Sequence, residues 1–261
     1  MMTPADRQDL EHARQLLEHP GLAARISNAV GAPIERAIGR LPPGVSALVA
    51  DAAHRAIEVA LTTAVRTLGS QTAGTPANRW HRFAVMASGA AGGAFGLGAL
   101  ALELPLTTTI MMRSIADIAR SQGEDLSTPE ARLECVHVLA LGGPGSRDDA
   151  SETGYFAARA ALAQAIHTAA KHVATRGLAS GGGAPAIVRL LAEVSSRFSV
   201  TVSEKALAQS IPVVGAAGGA ALNAIFMSHF QDIALGHFTI RRLERVYGPE
   251  VVRDIYAPLP H

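Results

Sequence analysis

Glu103 is the acidic residue whose position best fits a functional carboxylate. It interrupts a long apolar run just before Pro105, and a carboxylate that becomes buried must find a partner or take up a proton. Arg113 and Asp117 follow four residues apart, the spacing of an ion pair on one helix face, and Arg113 can reach Glu103 if the chain folds back at Pro105. Glu103, Arg113 and Asp117 are therefore weak candidates for acid–base catalysis, and a buried ion pair that fixes a helical hairpin is the favoured interpretation.

The segment "SHFQDIALGHF" carries three side chains that could bind a metal ion, His229, Asp232 and His237. Imidazole and carboxylate groups are common zinc ligands, but the helical zinc motif H-E-x-x-H is absent. On a helix these side chains span a broad arc, so a metal would need a further ligand from another helix, such as Glu103 or Asp117. Hydrogen bonding within the core is their favoured role, and we predict neither a metal site nor a cofactor.

Nucleophilic catalysis finds little support in the sequence. Cys135 and His137 are two residues apart and point away from each other on a helix, so they do not form a dyad by themselves. The nucleophile elbow G-x-S-x-G does not occur. Cys135 is also the single cysteine, which excludes an intrachain disulfide and a multi-cysteine zinc site. The sequence thus favours a protein that is not an enzyme.

Glycine and alanine dominate two segments that we predict to contact a ligand or a partner. The first, "GAAGGAFGLG" at residues 89–98, is echoed by "GAAGGAALNA" at residues 215–224. Neither segment has the spacing or the flanking strand of a phosphate-binding loop, so nucleotide binding is not expected. The candidate contact positions are Gly89, Gly92, Gly93, Gly96, Gly215, Gly218 and Gly219.

Two interpretations of these segments stay open. The run from Phe83 to Leu102 carries no charge and is long enough to span a bilayer as a helix, with G-x-x-x-G spacings that let helices touch in lipid. Alternatively, such helices are buried in the core of a soluble domain. Each interior glycine costs about 1 kcal/mol relative to alanine, and this cost makes sense where another helix crosses closely. The two interpretations are compatible if a helical domain opens and inserts its glycine-rich hairpins.

The spacing of apolar residues is helical along the chain. No run of alternating β-branched residues predicts a strand. We expect an all-α fold, a single domain of about eight to ten helices with two Gly/Ala-rich hairpins. An N-terminal helix would occupy residues 1–20, the main helical domain residues 21–256 and a tail residues 257–261. The similarity of the two Gly/Ala-rich segments is compatible with a duplication of the hairpins about a pseudo-two-fold axis.

The overall charge argues against nucleic acid as a partner. The chain of 261 residues has 23 basic and 22 acidic residues, a net charge of +1, so it lacks a basic field that would neutralise phosphates. The first residues are charged and lack the apolar core of a secretory signal. We therefore expect a cytoplasmic location.

The stretch "GAAGGAFGLGALALELPLTTTIMMRSIADIARSQGEDLSTPEARLECVHVLALG" resembles the central block of the EcsC protein family of bacteria. That block has a Gly/Ala-rich run, an acidic-Leu-Pro turn and a helix with an arginine, and it ends with the pattern I-A-x-x-x-G. The segments "VGAPIERAIGRLP" and "NAIFMSHFQDIALGHFTIRRLERVYG" are similar to the flanking blocks of the family. The family turn usually carries aspartate where this chain has Glu103, and a structural ion pair tolerates that change better than a catalytic carboxylate does.

The resemblance implies an accessory role and supplies no catalytic residues. The family is named for a protein encoded beside the ATPase and membrane subunits of an ABC transporter. We therefore expect a non-enzymatic accessory protein linked to transport or secretion, peripheral to the inner face of the membrane, whose partner is a membrane surface or a membrane protein. The alternatives are a binding module for an apolar or lipid-like ligand and a hydrolase or metal-dependent enzyme centred on Glu103, His229 and Asp232. The oligomeric state is left open.

Overall fold

The computed structural model of the chain is built from helices. It describes residues 2–18, 21–30, 43–68, 100–143, 154–177, 184–209 and 215–258. Within these ranges there are nine helices and no strand, so the predicted all-α fold is confirmed. The helices are α1 Pro4–Glu18, α2 Leu22–Val30, α3 Pro43–Thr67, α4 Leu100–Ser121, α5 Pro129–Leu141, α6 Gly154–Arg176, α7 Pro185–Gln209, α8 Gly215–Tyr247 and α9 Pro249–Tyr256.

A stripe of alanines brings α3 close to its neighbours. Ala53, Ala56, Ala60 and Ala64 recur at intervals of three or four residues and are fully buried, so they share one face of the helix. This helix packs chiefly against α4 and α7. The distance between two packed helices depends on the side chains at the contact, and the small alanines therefore permit close packing. The Ala-rich composition reflects helix-on-helix contact.

The long helix α8 holds the two ends of the described chain together. It packs along α1 and also contacts α4, α5 and α9. A Cβ atom at Gly236 would lie 2.7 Å from Leu17 Cγ and 3.0 Å from the carbonyl oxygen of Ala13. Since these distances are too short for nonbonded contact, glycine is required where α1 crosses α8.

Local signals define the ends of the helices that carry the candidate site. α5 begins after Thr128, whose Oγ1 accepts a hydrogen bond of 3.3 Å from the backbone N–H of Ala131, and Pro129 follows in the first turn. Gly248 ends α8 with a φ of +88°, a left-handed conformation that favours glycine. Pro249 then begins α9.

The expected turn at Pro105 does not form. α4 continues through Pro105 to Ser121, although proline removes one helical hydrogen bond. Buried residues lie on both sides of the proline, including Leu104 and Thr108, and this tertiary burial outweighs the local helix-breaking preference. The chain therefore does not fold back between Glu103 and Arg113.

The second Gly/Ala-rich segment is the first part of one continuous helix. α8 begins at Gly215 and reaches Tyr247 without a turn. The first segment, with Gly89, Gly92, Gly93 and Gly96, lies outside the described residues, so the proposed duplication stays a prediction. Among the described helices, none is long and apolar enough to cross a membrane.

Candidate functional site

Three buried polar side chains meet where α5 packs against α8. Glu134 and His137 lie on α5, and His237 lies on α8. Glu134 Oε2 is 3.0 Å from His137 Nδ1 and 3.2 Å from His237 Nε2. Both imidazole N–H groups therefore donate to the same carboxylate oxygen. We call Glu134, His137, His237 and the neighbouring Tyr155 the buried cluster.

Tyr155 and Arg241 occupy the outer positions around this carboxylate and its imidazoles. Tyr155 Oη on α6 lies 2.8 Å from His237 Nδ1; because His237 donates to Glu134 through Nε2, the phenol donates to Nδ1. Arg241 Nη1 lies 3.3 Å from Glu134 Oε1. One ring nitrogen, Nε2 of His137, is buried and has no hydrogen-bond partner among the described residues. The buried cluster is thus satisfied except at that one atom.

Helical spacing brings these groups together. Glu134 and His137 are three residues apart on α5, and His237 and Arg241 are four apart on α8, so each pair shares one face of its helix. The ring centroids of His137 and His237 are 5.6 Å apart in an edge-to-face arrangement. One possible ligand atom from each of Glu134, His137 and His237 lies within 4.8 Å of the others, so these residues could hold a metal ion.

Burial and hydrogen bonding determine which of these groups are charged. Burial raises the pKa of Glu134, but the hydrogen bonds from His137 and His237 outweigh it and hold that pKa well below its usual range. Burial lowers the pKa of His237 to about 3, although the hydrogen bond to Glu134 acts in the opposite direction. Burial also raises the pKa of Tyr155. At neutral pH the cluster therefore contains an ionised carboxylate beside the neutral imidazole of His237 and a neutral phenol.

A layer of ion pairs covers the buried cluster on one side. Glu124, between α4 and α5, binds Arg241 at 2.8 Å and also pairs with Arg245. Arg159 on α6 makes a bidentate pair with Glu244 on α8, with two distances of 2.7 Å. These arginines face an open groove of about 420 Å³, which is lined by Phe156, Arg159, Ala160, Ala163, Arg241, Glu244, Arg245, Pro249 and Arg253.

Glu103 is buried and paired, but its partner is Lys205 rather than Arg113. Glu103 Oε1 lies 2.7 Å from Lys205 Nζ on α7, and the Lys205 side chain is fully buried. Burial lowers the pKa of Lys205, while the charge of Glu103 acts in the opposite direction. Arg113 is exposed and lies about 15 Å from Glu103 along the axis of α4, at 1.5 Å per residue. The expectation of a Glu103–Arg113 pair is wrong because it required the chain to turn at Pro105.

The weak catalytic candidates do not converge on one site. Asp117 Oδ1 lies 3.1 Å from Arg120 Nη1, and Arg113 makes no ion pair with any described residue. Glu103 is on the opposite end of α4 with Lys205. Glu103, Arg113 and Asp117 therefore do not form an acid–base constellation.

The three metal candidates of the "SHFQDIALGHF" segment are also separated. His229 Nε2 lies 2.9 Å from the carbonyl oxygen of Gly142, and Asp232 Oδ2 lies 2.7 Å from Arg25 Nη1. His237 is the one that joins the buried cluster. These residues span a broad arc of α8, and each side chain meets a different partner. His229, Asp232 and His237 do not share a metal site.

The candidate glycine contacts can be located in part. Gly215 is the first residue of α8, Gly218 is half-buried and Gly219 is buried. The positions Gly89, Gly92, Gly93 and Gly96 lie outside the described residues. A ligand or partner contact at any of the seven glycines stays a prediction.

The buried cluster has one local sequence signal, although Glu134 and His137 were not among the predicted site residues. Glu134-x-x-His137 places a carboxylate and an imidazole on one helix face, a spacing that helical bundles use to build metal sites in their cores. The contributions of His237, Tyr155 and Arg241 come from distant helices and have no local signal.

Comparison with known proteins gives a family and no close relative. The family model described as "EcsC protein family" matches residues 5–243, which is most of the chain. A comparison with curated proteins found no match, and neither did a comparison with solved structures. The match includes α5 and the larger part of α8, which carry Glu134, His137 and His237. The chain belongs to the EcsC protein family.

Proposed function

We propose that this chain is a non-enzymatic accessory protein of a transport or secretion system, and that it acts at the cytoplasmic face of the membrane. Membership in the EcsC family supports the accessory role to the extent that the resemblance of the sequence implies it. The observation that supports membrane contact is an exposed apolar stripe at the start of α4. The stripe consists of Leu102 and Leu106.

The stripe is both exposed and free of negative charge. Leu102 is 83% exposed and Leu106 is 54% exposed, and their spacing of four residues places them on the same face of α4. The nearby acid, Glu103, points inward to Lys205. Arg113 is exposed farther along α4, at a spacing that extends this face toward a positive charge. Leucines with a basic residue at one end suit contact with an anionic lipid surface.

Burial of the stripe in lipid supplies a useful but modest free energy. Full burial of a leucine side chain contributes about 1.5–3 kcal/mol, and Leu102 and Leu106 are already partly covered to different degrees. The uncharged run that precedes Leu102 in the sequence adds apolar surface if it also enters the membrane. The expected association is therefore peripheral and reversible.

Flotation with liposomes tests the proposal. Wild-type protein is expected to float with vesicles that contain anionic lipid, and the double variant Leu102→Ser/Leu106→Ser is expected to stay at the bottom of the gradient. Val246→Ser is the matched control, because Val246 on α8 is 63% exposed and lies outside the stripe. Equal flotation of the double variant and the wild type would contradict a role of the stripe in membrane contact.

A membrane-protein partner is distinguished from lipid by fractionation of cells. If wild-type protein sediments with membranes in cells but ignores liposomes, and Leu102→Ser/Leu106→Ser releases it, the stripe binds a membrane protein. In the same experiment, replacement of Gly218 and Gly219 by leucine tests whether the glycine-rich start of α8 contributes a close helix contact. No release in any variant would contradict the proposed membrane role of both features.

The groove between α6, α8 and α9 favours a second candidate, binding of an apolar ligand with an anionic head. Its volume of about 420 Å³ falls in the range of small-molecule sites, about 300–1,000 Å³. Phe156 and Ala160 offer apolar surface, and Arg253 Cζ lies 5.5 Å from the centroid of the Phe156 ring, a cation–π contact. The combination suits a fatty-acid-like molecule.

Native mass spectrometry of the purified protein tests this second candidate. A copurified lipid is expected in the wild type and is expected to be lost in Ala160→Trp, which fills the groove. Ala174→Trp is the control, because Ala174 is an exposed alanine on the same helix outside the groove. Absence of lipid across several wild-type preparations, or its retention in Ala160→Trp, contradicts binding in the groove.

A further inference from the structure

We infer that the buried cluster is a binding site for one divalent transition-metal ion of the zinc type, held by Glu134, His137 and His237. This site is independent of the membrane role proposed above. Two imidazoles and one carboxylate are a common three-ligand set for Zn²⁺, and they leave a fourth position for another ligand. The site requires three conditions, which are convergence of the ligand atoms, suitable proton positions and support from surrounding groups.

The ligand atoms already converge at nearly the required separation. Bonds of about 2.0–2.1 Å to a tetrahedral zinc ion place neighbouring ligand atoms about 3.3 Å apart. Glu134 Oε2 lies 3.0 Å from His137 Nδ1 and 3.2 Å from His237 Nε2, and all three atoms are within 4.8 Å of one another. Small side-chain shifts are sufficient to place an ion between them.

The proton positions can change without a net release of protons. In the metal-free arrangement both imidazoles donate to Glu134, so binding requires each imidazole to move its proton to its other ring nitrogen. In His237 that proton would reach Nδ1, where Tyr155 Oη at 2.8 Å becomes the acceptor. In His137 it would reach Nε2, the buried nitrogen that has no partner among the described residues.

Groups outside the three ligands hold the site in place. Arg241 Nη1 lies 3.3 Å from Glu134 Oε1, so the other oxygen, Oε2, is directed to the imidazoles. Tyr155 fixes the orientation of the His237 ring. Such outer hydrogen bonds are typical of metal sites in proteins, and their loss costs about 10–100-fold in metal affinity. Tyr155 and Arg241 are thus positioning residues, and Arg241 also lines the open groove.

Titration of the full-length protein with Co²⁺, followed by displacement with Zn²⁺, tests the site. After removal of metal with a chelator, the wild type is expected to bind one ion per chain with the absorption spectrum of four-coordinate cobalt. Loss of an outer hydrogen-bond partner lowers metal affinity about 10–100-fold, and Tyr155→Phe is expected to fall within that range. His237→Gln and Glu134→Gln each remove a ligand and are expected to lower the affinity further. His229→Gln is the matched control, because His229 is a buried histidine of the same helix with a different partner.

X-ray absorption spectroscopy of the zinc-loaded wild type decides the question if a variant fails to fold. Two imidazoles and an oxygen ligand around the zinc support the site. The inference is overturned by less than one ion per chain, by fewer than two imidazoles in the spectrum, or by folded His237→Gln that binds as tightly as His229→Gln.

Discussion

Glu103 and Glu134 are both buried carboxylates on helices, but they are neutralised in different ways. Glu103 faces one cation, Lys205, at 2.7 Å. Glu134 accepts hydrogen bonds from His137 and His237 and contacts Arg241 through its other oxygen. A single ion pair makes the folded state depend strongly on one residue. A network distributes that dependence over several groups.

The largest expected effect comes from removal of Lys205, the cation that pairs with Glu103. Lys205→Met leaves a buried carboxylate without its cation, and breaking a buried ion pair in this way costs about 3–5 kcal/mol in the free energy of unfolding. The double variant Glu103→Leu/Lys205→Met is expected to recover much of this loss, because no charge remains buried. Urea unfolding measures both. A loss below about 1 kcal/mol in Lys205→Met would show that the pair does not control stability.

Acid is expected to destabilise the protein through the buried cluster. In the unfolded chain His237 takes up a proton near its ordinary pKa of 6.5, whereas in the folded protein it stays neutral down to about pH 3. The unfolded state therefore binds more protons between these values, and the free energy of unfolding falls as pH falls, by up to about 1.4 kcal/mol per pH unit for one proton. Glu134, whose folded pKa is lowered, adds to the loss below its ordinary value of 4.5.

Urea unfolding at a series of pH values checks this window. His237→Gln is expected to flatten the dependence between pH 6.5 and pH 3, while His229→Gln retains it as the matched buried control. The same slope in both variants would place the acid sensitivity elsewhere in the molecule.

Loss of one outer hydrogen bond of the buried cluster is expected to have an intermediate effect. Tyr155→Phe leaves Nδ1 of His237 buried without its donor at 2.8 Å, which costs about 1–3 kcal/mol. The effect is smaller than that of Lys205→Met because no charge is left without a partner. Thermal unfolding measures it, and a Tyr155→Phe loss as large as that of Lys205→Met would contradict the distributed network.

The smallest effect is expected at Arg113, which the sequence favoured as the partner of Glu103. Arg113 is exposed, and exposed substitutions of this kind change the free energy of unfolding by about 0.5 kcal/mol or less. Arg113→Ala is therefore expected to unfold at nearly the wild-type urea concentration. A loss comparable to that of Lys205→Met would restore the pairing predicted from the sequence.

The two carboxylates also show how far sequence analysis reaches. The apolar run around Glu103 correctly predicted that a buried acid there would need a partner, because that requirement follows from the local environment. It did not identify Lys205, since the prediction assumed a turn at Pro105 that tertiary packing of α4 overrides. Glu134 and His137 are three residues apart, a spacing that predicts one shared helix face, whereas the spacing of Cys135 and His137 does not.

The sequence by itself determined the all-α class and the family, because helical periodicity and the EcsC blocks are local patterns of residue type and spacing. Only the tertiary structure decided which polar groups meet. Lys205 is 102 residues from Glu103, and His237 is 103 residues from Glu134. Such contacts depend on how whole helices pack, and the local spacing of side chains cannot specify that arrangement. The protein's candidate chemistry therefore lies between helices that are distant in the chain.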